Sequence, residues 1–320
     1  MYYCVKQLPS HELKKIIKIG TRESQLAVWQ ATLVQNLLHK NNVASELVYI
    51  KSEGDIDTVT PLYELGVQGI FTKSLDAALI NNRIDIAVHS LKDVPTKPAD
   101  GIQQAAVLKR ASYKDIFVYK NDSSFLEDTN SAAIIATSSI RRIAQWLHRY
   151  PKHTIENLRG NVNTRLRKVN ENNWNGAIFA AAGLERIGLR PENSIDLDWM
   201  LPAPAQGAIA IVCRNDDKFS FDVCYAFNDN HTQVCTKIER DFLRVLLGGC
   251  STPISALAII ENDTIIFKGN ICSPDGKKKI EIEKDAEIKN SDALGITAAN
   301  ELLKNEDAQK IIYSIRNAKK

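Results

Sequence analysis

The feature that most constrains this chain is a strand–loop–helix pattern that starts twice. Lys15–Gly20 (KIIKIG) is an apolar run that reads as a buried strand. Thr21 or Ser24 can cap a helix beginning near Gln25, with Leu26, Trp29, Leu33, Leu37 and Leu38 at helical spacing. A strand at Glu46–Lys51, a helix Ser74–Asn81 and a strand Ile84–His89 follow. The pattern restarts at Ala133–Ala136, then a loop Thr137-Ser138-Ser139 and a helix Arg141–Tyr150. A strand Thr154–Leu158, a helix running through Val169, a strand Gly176–Ala181 and a helix around Leu184–Ile187 complete it. The alternation predicts two successive α/β units with largely parallel sheets and helices on both faces.

Residues 201–213 (LPAPAQGAIAIVC) form a Pro- and Ala-rich connector into an apolar strand. The last third changes character. Asn262-Asp263 and Asp275-Gly276 are hairpin turn signals beside alternating runs such as Lys279–Glu283. Helices at Ser291–Leu303 and Asp307–Arg316 close the chain, so a small α+β third domain is expected. A length of 320 residues accommodates two or three domains.

A net charge of +3 gives no dominant basic stripe, which argues against a nucleic-acid partner. A preference for anions must then come from local placement of Arg and Lys. Cys4, Cys213, Cys224, Cys235, Cys250 and Cys272 form no C-x-x-C pair, so neither a metal site nor a thioredoxin-type site is expected. The N-terminus lacks the apolar core of a signal peptide, and no apolar run approaches the ~18 residues of a membrane span. A cytoplasmic protein without a membrane partner is expected.

Five segments carry possible chemistry. Gly20-Thr-Arg-Glu-Ser24 lies at a strand-to-helix junction, where unpaired N–H groups attract anions and Arg22 adds a fork; an ordinary cap with an exposed Arg is the plainer alternative. Thr137-Ser138-Ser139-Ile140-Arg141-Arg142 sets two arginines in a first helical turn, against the helix dipole, which favours an anion site. Leu158-Arg159-Gly160-Asn161 offers Arg159 in a loop. Of Arg165 and Arg167 on the next helix, at most one can share its target, and a solvated basic face is the alternative. In Ala87-Val-His-Ser-Leu-Lys-Asp-Val-Pro95, Ser90, Lys92 and Asp93 emerge at the C-terminal edge of a strand, where open α/β sheets bind ligands. Asp93 is a lone carboxylate among basic groups, suited to stabilising cationic intermediates; a surface Lys-Asp pair is the alternative, and His89 reads as packed core. In Leu247-Gly-Gly-Cys-Ser-Thr-Pro253 the glycines let Cys250 project as a nucleophile or attachment point, against the alternative of a small buried hydrophobe.

Six segments, IDIAVHSLKDVPT (84–96), TSSIRR (137–142), NLRGNVNTRL (157–166), AAAGLERIGL (180–189), PAPAQGAIAI (202–211) and LGGCSTPI (247–254), stand in the order found in hydroxymethylbilane synthases, also called porphobilinogen deaminases. The chain resembles that family from about Ile16 to Ile315. The resemblance implies head-to-tail condensation of four porphobilinogen molecules with loss of ammonia, giving linear 1-hydroxymethylbilane. It implies a dipyrromethane primer on a thioether to Cys250. Asp93 would stabilise positive charge on pyrrole nitrogens as the azafulvene electrophile forms and condenses. Ser90, Lys92, Thr137, Ser138, Ser139, Arg141, Arg142 and Gly160 would hold the primer. Arg22, Ser24, Arg159, Arg165 and Arg186 would face substrate or the growing chain, with Gln206 at a hinge. The implied fold is α/β with three domains: 1–110 plus 205–226 and 114–202, both resembling type II periplasmic binding proteins, and an α+β domain at 230–320. A monomer working on a small molecule is implied.

Some positions depart from the family. Glu64 and Gln68 stand where many members have lysines, with Lys73 a possible replacement, and Ala205 stands where Gly is usual. Ser251-Thr252 after the cysteine is a tolerable variation. The alternatives to a synthase are a non-catalytic anion-binding protein and an inactive paralogue on the same scaffold.

Overall fold

The computed structural model describes residues 15–52, 72–246 and 252–317. Cys4, Glu64, Gln68, Cys250 and Ser251 lie outside the described residues.

The first sheet has the order β2-β1-β3-β10-β4, with β1 at Ile17–Thr21, β2 at Ser45–Tyr49, β3 at Ile86–Ser90, β4 at Ile102–Val107 and β10 at Ile209–Arg214. The second has the order β7-β6-β8-β5-β9, with β5 at Asp115–Tyr119, β6 at Ile134–Ala136, β7 at Thr154–Glu156, β8 at Gly176–Ala180 and β9 at Ser194–Asp196. Both orders follow one plan. β1, β2 and β3 are parallel, as are β6, β7 and β8. β10 runs antiparallel to β3 and β4, and β5 antiparallel to β8 and β9.

The largely parallel sheets expected from the alternation each carry one reversed strand. The reversed strand in each sheet is the first one delivered by a crossing from the other. No βαβ unit feeds that strand, so its direction is not fixed to be parallel. The crossings are the segments between β4 and β5 and between β9 and β10. Two sheets of one strand order are thus joined by two crossings.

Helix α1 spans Gln25–Lys40, and Ser24 caps it by accepting from Ala27 N at 3.4 Å. Its buried positions are Gln30, Ala31, Val34 and Leu38. Of the expected stripe Leu26, Trp29, Leu33, Leu37 and Leu38, Leu38 is in the core, Leu33 and Leu37 pack partly buried against it, and Trp29 is 36% exposed. Apolar spacing alone did not reveal that Gln30 is buried because a partner on another strand satisfies it.

A third sheet, β11-β12-β13, is an antiparallel meander of Ile254–Glu261, Thr264–Cys272 and Lys279–Glu287. The expected turn at Asn262-Asp263 has φ of 47° and 62°, the left-handed pair that a tight hairpin requires. Helices Asn230–Val245, Leu294–Leu302 and Glu306–Asn317 pack on this sheet, with the Phe242 and Phe267 rings 5.1 Å apart. A Cβ at Gly295 would collide with the Ile238 carbonyl, so glycine lets the helix Leu294–Leu302 lie close on Asn230–Val245.

Glu239 ties the three units together. It is fully buried, grips Arg110 of the first crossing at 2.6 and 3.1 Å, and accepts from Ala205 N of the second at 2.6 Å and from Ala258 N of β11 at 2.8 Å. Ala205 has φ 63°, a region that favours glycine.

Candidate active site

A cleft of about 950 Å³ lies between the two five-stranded sheets. Its walls come from the C-terminal ends of β1, β3, β6, β7 and β8 and from the second crossing. These are the edges where a doubly wound sheet leaves loops and helix starts free for ligands. Among the described residues that line it, ten are Arg or Lys, whereas only Glu23 and Asp93 are acidic. Against a whole-chain charge of +3, this places the anion preference in the cleft and not in the surface at large.

The structure brings together every expected site residue that it describes. Arg22, Ser24, Ser90, Lys92, Asp93, Thr137, Ser138, Ser139, Arg141, Arg142, Arg159, Gly160, Arg165, Arg186 and Gln206 all line the cleft. Cys250 is outside the described residues, but Leu243 before it and Thr252 and Ile254 after it line the same cleft. The four described cysteines, Cys213, Cys224, Cys235 and Cys272, are buried and free. Burial pushes the thiols of Cys213 and Cys235 up to about 11 and that of Cys272 to about 12, so they stay protonated and inert.

Lys92 and Asp93 sit on a single 3-10 turn, Leu91–Asp93, directly after β3. Lys92 Nζ donates to Gln206 Oε1 at 3.3 Å. Burial pushes the Lys92 ammonium down to about 8, with Asp93 and Asp115 opposing and Arg142 and Arg141 assisting. An anion held by Lys92 is therefore attracted below about pH 8 and released as the pH rises through that value. Affinity for a carboxylate ligand in the cleft is expected to fall across this window, and Lys92→Arg should shift the fall to higher pH. Calorimetric titration between pH 7 and 9 checks both; a flat profile in the parent would remove Lys92 from anion binding.

Arg141 and Arg142 open the helix Ile140–Arg149, yet both are buried. Their charge is met by Asp115, the fully buried first residue of β5. Arg141 Nη2 donates to Asp115 Oδ2 at 2.7 Å, and Arg142 donates to Oδ1 through Nε at 3.1 Å and Nη2 at 2.7 Å. Gln206 Nε2 adds a bond to Oδ1 at 3.0 Å. Burial alone would push the Asp115 carboxyl up; the Arg141 and Arg142 charges, the Arg142 hydrogen bond and Lys92 outweigh it and hold it well below the usual range. Arg141 also donates to Leu201 O and Arg142 to Ile178 O. Each guanidinium has five N–H donors, so some remain for a ligand, but the reversed dipole charge is partly a structural matter.

Sequence reasoning missed Asp115. The available signal was a carboxylate at the head of the apolar run DIFVY. It also missed Gln30, whose Nε2 donates to Ser90 Oγ at 2.8 Å from within the cleft wall.

The remaining residues sort by their partners. Ser139 is the N-cap of its helix but makes no side-chain cap bond. The Ser138 hydroxyl closes a loop, donating to Leu158 O at 2.6 Å and accepting from Leu158 N at 2.9 Å, with Asn157 alongside. Gly160 has φ 108°, and its carbonyl accepts from Arg165 Nε at 2.7 Å. Burial, with the Arg142 and Arg159 charges, pushes Arg165 down to about 10, and Asp93 opposes them. Arg167 instead stays exposed and pairs with Glu171 at 3.5 Å, so only one of the two helix arginines joins the buried cluster. His89 is buried, and burial together with Arg22 pushes it down to about 4, leaving it neutral as a core histidine.

Residues 17–221 match the family model "Porphobilinogen deaminase, dipyromethane cofactor binding domain", and residues 233–304 match "Porphobilinogen deaminase, C-terminal domain". Porphobilinogen deaminases from two strains of Acidithiobacillus ferrooxidans are each 40% identical over 310 residues, covering 94% of this chain and 99% of the relative. A solved methionine binding protein is similar at 15% identity and a TM-score of 0.43, over 68% of this chain and 91% of that one. The two family matches span the cleft and the third sheet in order, and the relatives match almost end to end, so the chain belongs to the porphobilinogen deaminase family.

Proposed function

We propose that the chain is a hydroxymethylbilane synthase, a transferase that joins four porphobilinogen molecules head to tail with release of ammonia. The observation that carries this reading is a cleft with ten basic residues in which Asp93 stands at a strand end beside Lys92. A ligand that gains an acetate and a propionate with each added ring needs such a series of cations.

The donor set fits a dipyrromethane. It supplies guanidinium and ammonium groups for carboxylates, one aspartate for pyrrole nitrogens, and cleft-lining residues on both sides of the segment bearing Cys250. The group, on a thioether to Cys250, supplies the free pyrrole position to which the first substrate is joined. Lys92, Arg141, Arg142, Thr137 and Ser139 are the residues we assign to its carboxylates, with Ser90, Ser138 and Gly160 shaping the wall. Arg22, Ser24, Arg159, Arg165 and Arg186 are assigned to incoming substrate and the growing chain. Asp93 holds the positive charge that develops on a substrate pyrrole nitrogen as ammonia leaves. Gln206 joins Lys92 to Asp115 and to Tyr113 O at 2.8 Å, which suits a hinge.

The units we assign are 1–110 with 205–226, 114–202 and 230–320. We take the enzyme to work as a cytoplasmic monomer on a small molecule, without nucleic acid or membrane. No described helix is long and apolar enough to cross a membrane.

The test is a turnover assay with porphobilinogen, reading ammonia and the tetrapyrrole product by mass spectrometry. Stoichiometric ammonia and 1-hydroxymethylbilane are expected. Tight binding of porphobilinogen without ammonia release would instead favour an anion-binding protein or an inactive paralogue.

A further inference from the structure

Helix α1 belongs to the first sheet, but its first turns touch the second unit beside the cleft. Gln25, Leu26 and Trp29 lie on neighbouring turns. Gln25 Oε1 accepts from Asn163 Nδ2 at 2.8 Å. An added Cβ at Gly183 would lie 3.7 Å from Leu26 Cδ2, ordinary contact distance. The Arg186 guanidinium carbon lies 5.9 Å from the centre of the Trp29 ring. Arg186 also donates through Nη2 to Gly207 O, on the second crossing, at 2.6 Å.

Arg186 differs in kind from Arg141 and Arg142. Those two share the buried carboxylate of Asp115. Arg186 lines the cleft with a neutral carbonyl and an indole face as its close partners. Burial pushes it down to about 10, and the neighbouring Glu185 only opposes this. Glu185 itself is paired with Arg190 at 2.7 Å. An indole face attracts a cation through its quadrupole but carries no charge, so it fixes the guanidinium without neutralising it. A carboxylate at the same place would fix it and also cancel its pull on an anion.

We propose that Trp29 is a positioning residue that holds Arg186 oriented in the cleft, un-neutralised, for a carboxylate of the incoming pyrrole. This rests on the function proposed above and adds to it a residue outside the cleft lining. A free arginine side chain loses rotamer freedom when it binds; one already held loses less, so the effect falls on binding and not on the chemical step.

The test compares Trp29→Leu with Trp29→Phe. Leu keeps apolar bulk and removes the ring face, whereas Phe keeps a ring face. Trp29→Leu is expected to raise KM for porphobilinogen about three- to tenfold, with kcat within about twofold and melting temperature unchanged. Trp29→Phe should restore most of the loss. Calorimetric binding of porphobilinogen to Asp93→Asn holoenzyme should weaken by the same factor when Trp29→Leu is added. In an Arg186→Gln background, Trp29→Leu should raise KM no further. The inference is overturned if Leu and Phe give equal losses, if KM and Kd stay at parent values, or if Leu still raises KM without Arg186. Normal parent turnover with any of those results removes this inference alone; a parent that neither binds nor consumes porphobilinogen removes the functional reading as well.

Discussion

Asp115→Asn is expected to destabilise the protein by about 3–5 kcal/mol, the cost of leaving buried charge uncompensated. Arg141 and Arg142 are 5% and 6% exposed, and among the described residues Asp115 is the one carboxylate that both reach. An amide of the same shape keeps one acceptor but loses the charge. Two adjacent guanidiniums, with Lys92 nearby, then repel one another in a medium of reduced dielectric. Adding Arg142→Leu to Asp115→Asn removes one of those cations and should recover part of the loss. Arg142→Leu by itself leaves Asp115 leaning on Arg141 and Gln206 and should destabilise too. Urea unfolding of the two single variants and the double variant gives the coupling directly. A loss below about 1 kcal/mol for Asp115→Asn would mean the trio carries no buried charge balance.

The sign of the pH dependence follows from the same pair. The folded Asp115 carboxyl is held below its unfolded value of about 3.9. Its contribution is therefore complete above about pH 4 and is lost as the pH falls from there toward the folded value. Asp115→Asn should flatten that part of the acid-unfolding curve. This network also changes how a loss of primer in Arg141 or Arg142 variants is read. Such a loss counts as a binding effect only if the variant is shown to be folded.

The second large effect is on turnover. Asp93→Asn should keep the primer and lower kcat by about 10²–10³-fold, the usual consequence of removing one well-placed electrostatic partner of a developing charge. Among the described cleft residues, Asp93 is one of two acidic ones beside ten basic ones. Its neighbours include Lys92 on the same turn and Arg165, whose charged form it favours. The amide preserves shape and hydrogen-bonding reach but cannot balance a cationic pyrrole. Single-turnover kinetics with intact-mass readout separates primer retention from elongation. Near-parental turnover would remove Asp93 from this role.

Much of the site was legible because it uses strand ends. Apolar runs that stop at Ser90, Thr137 and Leu158, the last two leading on to helices, mark the loops that line the cleft, and Ser24 and Asn161 cap their helices as their residue types favour. The restart of the pattern showed two similar units. What stayed hidden depends on residues far apart in the chain. Asp115 meets Arg141 across 26 positions, Gln30 meets Ser90 across 60, and Glu239 meets Arg110 across 129. Local patterning shows that a polar residue departs from its surroundings, but not which distant group satisfies it. β4 escaped notice for a related reason: Gln103 and Gln104 interrupt its apolar pattern, and β9 has only three residues. The reversed strands β5 and β10 follow from crossings between sheets, which no local period encodes. The account of Cys250, Glu64 and Gln68 rests on sequence, since they lie outside the described residues.

The central claim is that the basic cleft works on a pyrrole chain anchored to Cys250. Intact mass spectrometry of the protein, purified from a host that makes porphobilinogen, tests it most directly. The account predicts a single species heavier than the polypeptide by one thioether-linked dipyrromethane, mapped by peptide analysis to Cys250 and missing in Cys250→Ala. Protein of unmodified mass, or the same adduct on another residue, would contradict it.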